Sequence, residues 1–272
     1  MPGIFTNVNA SFAQNALSVN ARAQTAAMQQ LSTGVRINSA KDDAAGLAMS
    51  TTMTSQIRGL NMAVRNANDG ISMLQTVDGA MVEQTNMLQR MRELAVQASS
   101  DTVDSTSKGY LNSEFTALRA EIDRIGANTQ WNGSAVMTGA TYSYQVGANA
   151  GDTAITIRVN SIATGGSLSA VASSGITNAS AASDAMSAVT TALGVIAAQR
   201  ATLGATMNRL TYAADNMANI AQNTMDSRSR ILDTDYATAT TQLSKTQIIS
   251  QAATAMLAQA NQQQQSVLAL LK

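Results

Sequence analysis

Beyond Pro2, this chain of 272 residues contains no proline. A proline inside a helix costs about 3 kcal/mol, because it deletes a hydrogen bond and clashes with the preceding turn. A chain free of it can carry very long helices, and the apolar spacing predicts where they lie. Leu60, Val64, Ala67, Ile71, Leu74, Val77, Met81, Leu88, Met91 and Ala95 follow a three–four spacing with one turn skipped. That is a coiled-coil seam, and it predicts a helix over about 47–99. Asp69-Gly70 is a turn signal, but the seam passes through it in register, so the helix is expected to continue. Leu111, Phe115, Leu118, Ile122 and Ile125 predict a second helix over about 105–128. Val189, Leu193, Ile196, Leu203, Met207, Leu210, Ala214 and Met217 predict a third over about 180–230. Helices of ~50 residues extend ~75 Å. The expected class is mainly α: a long antiparallel coiled-coil rod.

Between the second and third helices the period changes to two. Tyr142, Tyr144 and Val146 alternate, GANAGD turns the chain, and Ile155, Ile157 and Val159 alternate again. This predicts a small β-hairpin over about 140–160, preceded by a turn at Asn132-Gly133. Residues of about 160–180, rich in Gly, Ser, Ala and Thr, are expected to form a short loop with little core-forming content.

Only 12% of residues are charged, against a usual ~25%. The two ends are barer still: Arg22 is alone in residues 1–35, and Lys245 in residues 236–271. Phe12, Ala16, Val19, Ala23, Ala27 and Leu31 mark an apolar stripe at one end. Leu243, Leu257 and Leu271, with Ala239, Ala253, Ala260 and Val267 beside them, mark another. Such helices are marginal alone in water, so the ends are expected to pair with each other, as a second coiled coil, and with copies of themselves. The charge gathers instead in "LSTGVRINSAKDDAAG", where Arg36, Lys41, Asp42 and Asp43 lie between Gly34 and Gly46. Neighbouring carboxylates on a helix point apart, so with Arg36 and Lys41 beside them Asp42 and Asp43 are expected to form ion pairs.

Catalysis has little to stand on. There is no histidine or cysteine, no phosphate-binding loop and no clustered metal ligand, so neither an enzyme nor a cofactor is expected. A formal net charge of zero argues against nucleic acid, whose phosphates call for a basic face. The fifteen methionines are expected to fill the core, as soft apolar side chains do. The N-terminus lacks the basic and apolar regions of a secretory signal, and no run of ~18 uninterrupted apolar residues predicts membrane insertion.

Several motifs together resemble bacterial flagellin: "LSTGVRINSAKDDAAGLAMS", "RNANDGISMLQTVDGAM", "LQRMRELAVQAS", "EIDRIGANTQWNG", "YQVGANAGDT", "RATLGATMNRL" and the "ILDTDYATAT" tail. Many members of that family insert variable outer domains where this chain has only residues 160–180, so the resemblance is to a minimal form. It implies that residues 1–42 and 233–272 pair as the inner tube of a flagellar filament. Residues 43–232 would then form the outer-tube rod, with residues 31–46 as the spoke between them. Arg36, Lys41, Asp42 and Asp43 would set register there between copies. The implied role is a structural subunit that assembles into a helical homopolymer for swimming. The alternative is a hook–filament junction subunit or another axial flagellar protein. The resemblance also implies secretion through the flagellar type III machine to the outside of the cell. It further implies an export chaperone on the C-terminal segment, and filament cap and hook-junction proteins as partners. Residue by residue, Gln89, Arg90 and Leu94 on the first long helix and Glu114 on the second match the surface by which Toll-like receptor 5 recognises flagellins. The same surface would serve filament packing. Arg90 and Leu94 are expected to lie outside the intramolecular seam, which Leu88, Met91 and Ala95 carry.

Overall fold

The proline-free stretches fold as uninterrupted helices in the computed structural model. It describes residues 7–149, 151–163 and 168–269, apart from the side chains of Ala172 and of residues 263–269. The helices are α1 (Val8–Thr33), α2 (Ala44–Ala98), α3 (Ser105–Asn128), α4 (Ser169–Ala172), α5 (Ala179–Leu232) and α6 (Tyr236–Ala269). Four short strands lie between α3 and α4: β1 (Gln130–Trp131), β2 (Ser134–Ala135), β3 (Thr141–Tyr144) and β4 (Ile155–Arg158). The chain divides into two compact units, one of residues 1–55 with 223–272, the other of residues 56–222. The divisions therefore fall inside α2 and α5, whereas the sequence reading put the joints where helix is interrupted.

In the first unit α1 and α6 run antiparallel. Asn7 Nδ2 donates to the Ala260 carbonyl at 3.3 Å, Asn20 Nδ2 to the Thr246 carbonyl at 2.7 Å, and Val35 bridges to Asp233. Asn20 and Thr246 are both buried, so the seam of this pair is held by a polar contact as well as by Ala27 and Ala239. The N-terminal stripe departs from expectation. Its second half, Ala23 to Leu31, turns inward, but Phe12 and Val19 are 77% and 56% exposed and Ala16 is exposed beside them. Ala10, Ala13, Leu17 and Asn20 take the inner face instead. Thus α1 carries two apolar rows, and the larger side chains stand on the outer one. Leu271 lies outside the described residues, and so does the side chain of Val267.

In the second unit the core is built by α2, α3 and α5. Leu74, Val77, Met81, Leu88, Met91 and Ala95 of α2 are fully buried, as are Phe115 and Ile122 of α3 and Val189, Leu203 and Leu210 of α5. The turn skipped by the seam holds Gln84, which is also fully buried. Its Nε2 donates to the carbonyls of Ile122 at 3.1 Å and Ile162 at 2.9 Å. One amide thus ties α2 to α3 and to the segment after β4. On α5, Gln199 makes a matching tie: its Nε2 donates to the Arg158 carbonyl, and its Oε1 accepts from Asn160 Nδ2. An 18-residue window of α5 reaches a mean hydropathy of 1.4, enough by composition to cross a membrane. Along α5 the buried apolar positions, Ala182, Ala185, Val189, Ala192 and Ile196, recur every three or four residues, as on a helix packed along one face.

The hairpin pairs Tyr142 with Ile157 and Tyr144 with Ile155, and Ala150 of its turn lies outside the described residues. Glycines in α2 let it approach. A Cβ on Gly70 would lie 2.7 Å from the Tyr144 ring, and one on Gly59 would lie 3.1 Å from Ala148. That is why Asp69-Gly70 sits within a helix: the missing side chain makes room for an aromatic ring. Asn132 and Gly133 both have positive φ, 47° and 77°, as a two-residue turn between β1 and β2 requires.

The region of about 160–180 corrects the sequence reading. Ile162, Leu168, Val171 and Ile176 are each no more than 1% exposed, Ser169–Ala172 form α4, and the Ile176 N–H donates to Asn112 Oδ1 at 3.0 Å. Four apolar residues scattered among small ones were enough to dock the segment as part of the core. Residues 164–167 lie outside the described residues.

Candidate assembly surfaces

The charged stretch becomes a non-helical link. Gly34, with φ +71°, closes α1 in the left-handed conformation, and its N–H donates to the Gln30 carbonyl at 2.9 Å. Asp43 directly precedes α2, and its Oδ1 accepts from the Gly46 N–H at 2.9 Å, the position that satisfies an orphan donor of a helix's first turn. Asp42 Oδ2 accepts from the N–H groups of Asn38 and Ser39 and from the Ser39 hydroxyl. These bonds hold its carboxyl below the usual carboxylate range, with a small contribution from the Lys41 charge. Arg36 turns to the end of α5. Its Nη2 donates to the Ile231 carbonyl and its backbone N–H to the Leu232 carbonyl, both at 2.7 Å, where a cation also meets the negative end of the helix dipole.

The expected ion pairs are therefore not made. Arg36, Lys41, Asp42 and Asp43 take no part in the salt bridges seen among the described residues, such as Arg90 with Glu114 or Arg200 with Asp78. The reason is local: the backbone donors of a turn and a helix start lie closer to these carboxylates than Arg36 does. Lys41, exposed, enters no ion pair or side-chain hydrogen bond among the described residues. Gly46 is fixed by packing, since a Cβ there would collide with Asp43 and with Ile37 Cδ1.

In the second unit Arg90 bridges two helices. Its Nε meets Glu114 Oε1 at 2.9 Å and its Nη1 meets Glu93 Oε2 at 3.0 Å. Both glutamates hold the guanidinium above its ordinary pKa, Glu114 first. Gln89 is exposed beside it. Leu94 is not part of this face. It is 1% exposed, so the core stripe of α2 includes Leu94 together with Leu88, Met91 and Ala95. The seam is one residue wider than the spacing predicts, because a helix packed against more than one neighbour buries a wider arc than a two-stranded coiled coil does. Glu93, which that reading passed over, is an acidic partner of Arg90, and its i,i+3 spacing was the available signal.

The third surface is apolar. The outer row of α1 and the adjoining face of α6 enclose a groove of about 530 Å³ lined by Phe12, Ala13, Ala16, Ile249, Ala252 and Met256, among others. Val8, Ile248 and Met256 are each at least 65% exposed. Among the described residues no group of His, Cys, Asp or Glu side chains could hold a metal ion.

Comparison with known proteins bears on what such surfaces do. A family profile described as the bacterial flagellin N-terminal helical region matches residues 4–141, and one for the bacterial flagellin C-terminal helical region matches residues 186–271. A flagellin of Halalkalibacterium halodurans is 42% identical over 268 residues, covering 98% of both chains. Flagellin C of Vibrio cholerae is 34% identical over 370 aligned positions, again covering 98% of each. An alignment that much longer than 272 residues means that the Vibrio chain carries insertions this one lacks. The crystal structure of Bacillus cereus flagellin matches with a TM-score of 0.50 and 31% identity, over 56% of this chain and 88% of that one.

Proposed function

The chain belongs to the bacterial flagellin family and is a structural subunit of the flagellar filament, and on that premise we propose which of its surfaces carry the assembly. Similarity along nearly the whole chain favours the filament itself over a hook–filament junction subunit. The observation that carries the proposal is the outer apolar row of the terminal pair. A helix pair that has already buried one apolar face still presents Val8, Phe12, Val19, Ile248 and Met256 to its surroundings. Exposed apolar area of this kind marks an interaction site, and in a homopolymer the partner is the next copy. A contact that does not close on itself builds an open helical filament. In that filament residues 1–42 and 233–272 form the inner tube and residues 43–232 the outer one. Residues 31–46 hold the spoke, whose non-helical link is residues 34–43, and Lys41 is its charge toward neighbouring subunits.

Subunits reach the outside of the cell through the flagellar export machine. An export chaperone covers the C-terminal segment beforehand, and cap and hook-junction proteins receive the subunit at the filament. The sparse charge of α6, with Lys245 alone, suits a segment that must be shielded until it assembles. Gln89, Arg90 and Glu114 form a lateral packing face that Toll-like receptor 5 also reads. The test is seeded elongation of purified monomer. Phe12→Asp is expected to abolish elongation while circular dichroism keeps its helical signal, and undiminished elongation would remove the terminal row from the interface.

A further inference from the structure

We propose that Met256 is an oxidation site that decides whether a free subunit can join a filament; this rests on the reading that the terminal pair is the assembly surface. Among the described residues Met73, Met81, Met91, Met137 and Met217 are buried, and Met53, Met87, Met186, Met207 and Met225 are half-buried. Four of the described methionines are exposed, namely Met28, Met49, Met62 and Met256, and among them Met256 is the most exposed at 65%. Of these four, Met256 alone lines the apolar groove between α1 and α6.

A thioether in that position is both reachable and consequential. Hydrogen peroxide supplies the oxidant. The sulfur lone pair attacks one peroxide oxygen, an S–O bond forms and the O–O bond breaks. The departing hydroxide takes up the proton left on the sulfur-bound oxygen and leaves as water. Sulfur is oxidised by two electrons to the sulfoxide, and the peroxide is reduced by two. The product is a flexible apolar side chain turned into a polar, chiral one. In the open groove water solvates the new S–O dipole, so the free subunit loses nothing. A neighbouring copy that covers the groove must bury that dipole in a mostly apolar lining of Phe12, Ile249 and alanines, where Asn9 and Gln259 alone carry side-chain donors, and a polar group left unpaired there is unfavourable. Once a neighbour has covered the groove, the same sulfur is shielded. Sensitivity to peroxide therefore belongs to the subunit before incorporation and not after it. The buried methionines cannot play this part, because peroxide does not reach them in the folded chain.

The experiment uses full-length monomer exposed to millimolar hydrogen peroxide, with sulfoxides located by peptide mass spectrometry and seeded elongation followed by light scattering. The expected result is Met256 oxidised ahead of the buried methionines, with elongation slowed about ten-fold or more, the scale of one unpaired polar group in an interface. Methionine sulfoxide reductase should restore it. Met256→Leu is read as the ratio of its own treated to untreated rates, which should stay near one, whereas Met62→Leu should slow like the parent. Met256→Gln should elongate poorly without peroxide, and in preformed filaments Met256 should resist oxidation. Undiminished elongation after Met256 is oxidised, or a Met256→Leu chain that slows as much as the parent, overturns the proposal alone. Untreated parent that never elongates overturns the assembly reading beneath it.

Discussion

Two glycines of α2 make opposite predictions from the same substitution. Gly→Ala inside a helix gains about 1 kcal/mol of propensity when the new methyl group meets nothing. At Gly79 nothing lies within 4 Å of the added Cβ, so Gly79→Ala should stabilise by about that amount. At Gly70 the Cβ would lie 2.7 and 2.8 Å from two carbons of the Tyr144 ring and 3.2 Å from a third. The near side of the ring must move, and β3 with it, because Tyr144 is paired to Ile155. Overpacking of this kind costs about 1–3 kcal/mol. Taking about 2 and subtracting the propensity gain leaves Gly70→Ala about 1 kcal/mol less stable. In a Tyr144→Ala background the obstacle is gone, and the same change should become stabilising by about 1 kcal/mol. The double-mutant coupling would then be about 2 kcal/mol. Thermal unfolding of monomer by circular dichroism reads each step, at about 2–4 °C per kcal/mol for a unit of this size. Equal stabilisation by Gly70→Ala and Gly79→Ala would mean that the hairpin does not rest on Gly70.

Neighbouring turns of α2 should also separate: Leu94→Ala should destabilise the monomer by about 2–5 kcal/mol as a buried leucine, while Arg90→Asp should leave its unfolding midpoint nearly unchanged. Arg90→Asp should instead reduce motility and signalling in a Toll-like receptor 5 reporter cell together, and intact motility with intact signal would remove this face from both roles. Asp43→Ala should cost about 1 kcal/mol as a lost helix cap, seen as faster amide exchange at Gly46; unchanged exchange would place the cap elsewhere. Burial pushes the Tyr144 hydroxyl up to about 12 from about 10 unfolded. Because the folded state holds this proton more tightly, its contribution is complete below pH 10 and is lost as pH rises toward 12. Ultraviolet titration should show a late tyrosine ionisation that disappears in Tyr144→Phe, and an unchanged titration curve would remove the shift from Tyr144.

Periodicity made the helices legible, because a missing proline and a three–four seam both act through local geometry. The hairpin was legible from alternation for the same reason, although its ladder ends at Tyr144 and Arg158 and leaves Val146 and Val159 outside the strands. What escaped was decided by neighbours. Gln84 occupies the gap in the seam because two carbonyls from distant segments converge on its amide, and no local pattern announces that. Ile162, Leu168, Val171 and Ile176 are too widely spaced to form a stripe, yet all reach the core. On α1 the sequence offers two apolar rows, and only the position of α6 decides which faces inward. At the link the charges were conspicuous, but their use as caps depends on turn geometry that composition does not encode.

The most direct test of a filament subunit is electron microscopy of purified chain, heated to monomer and then supplied with short filament seeds. Long tubular filaments growing from the seeds are the expected result. A preparation that stays monomeric under every salting-out condition, with its helical signal intact, would contradict the central claim.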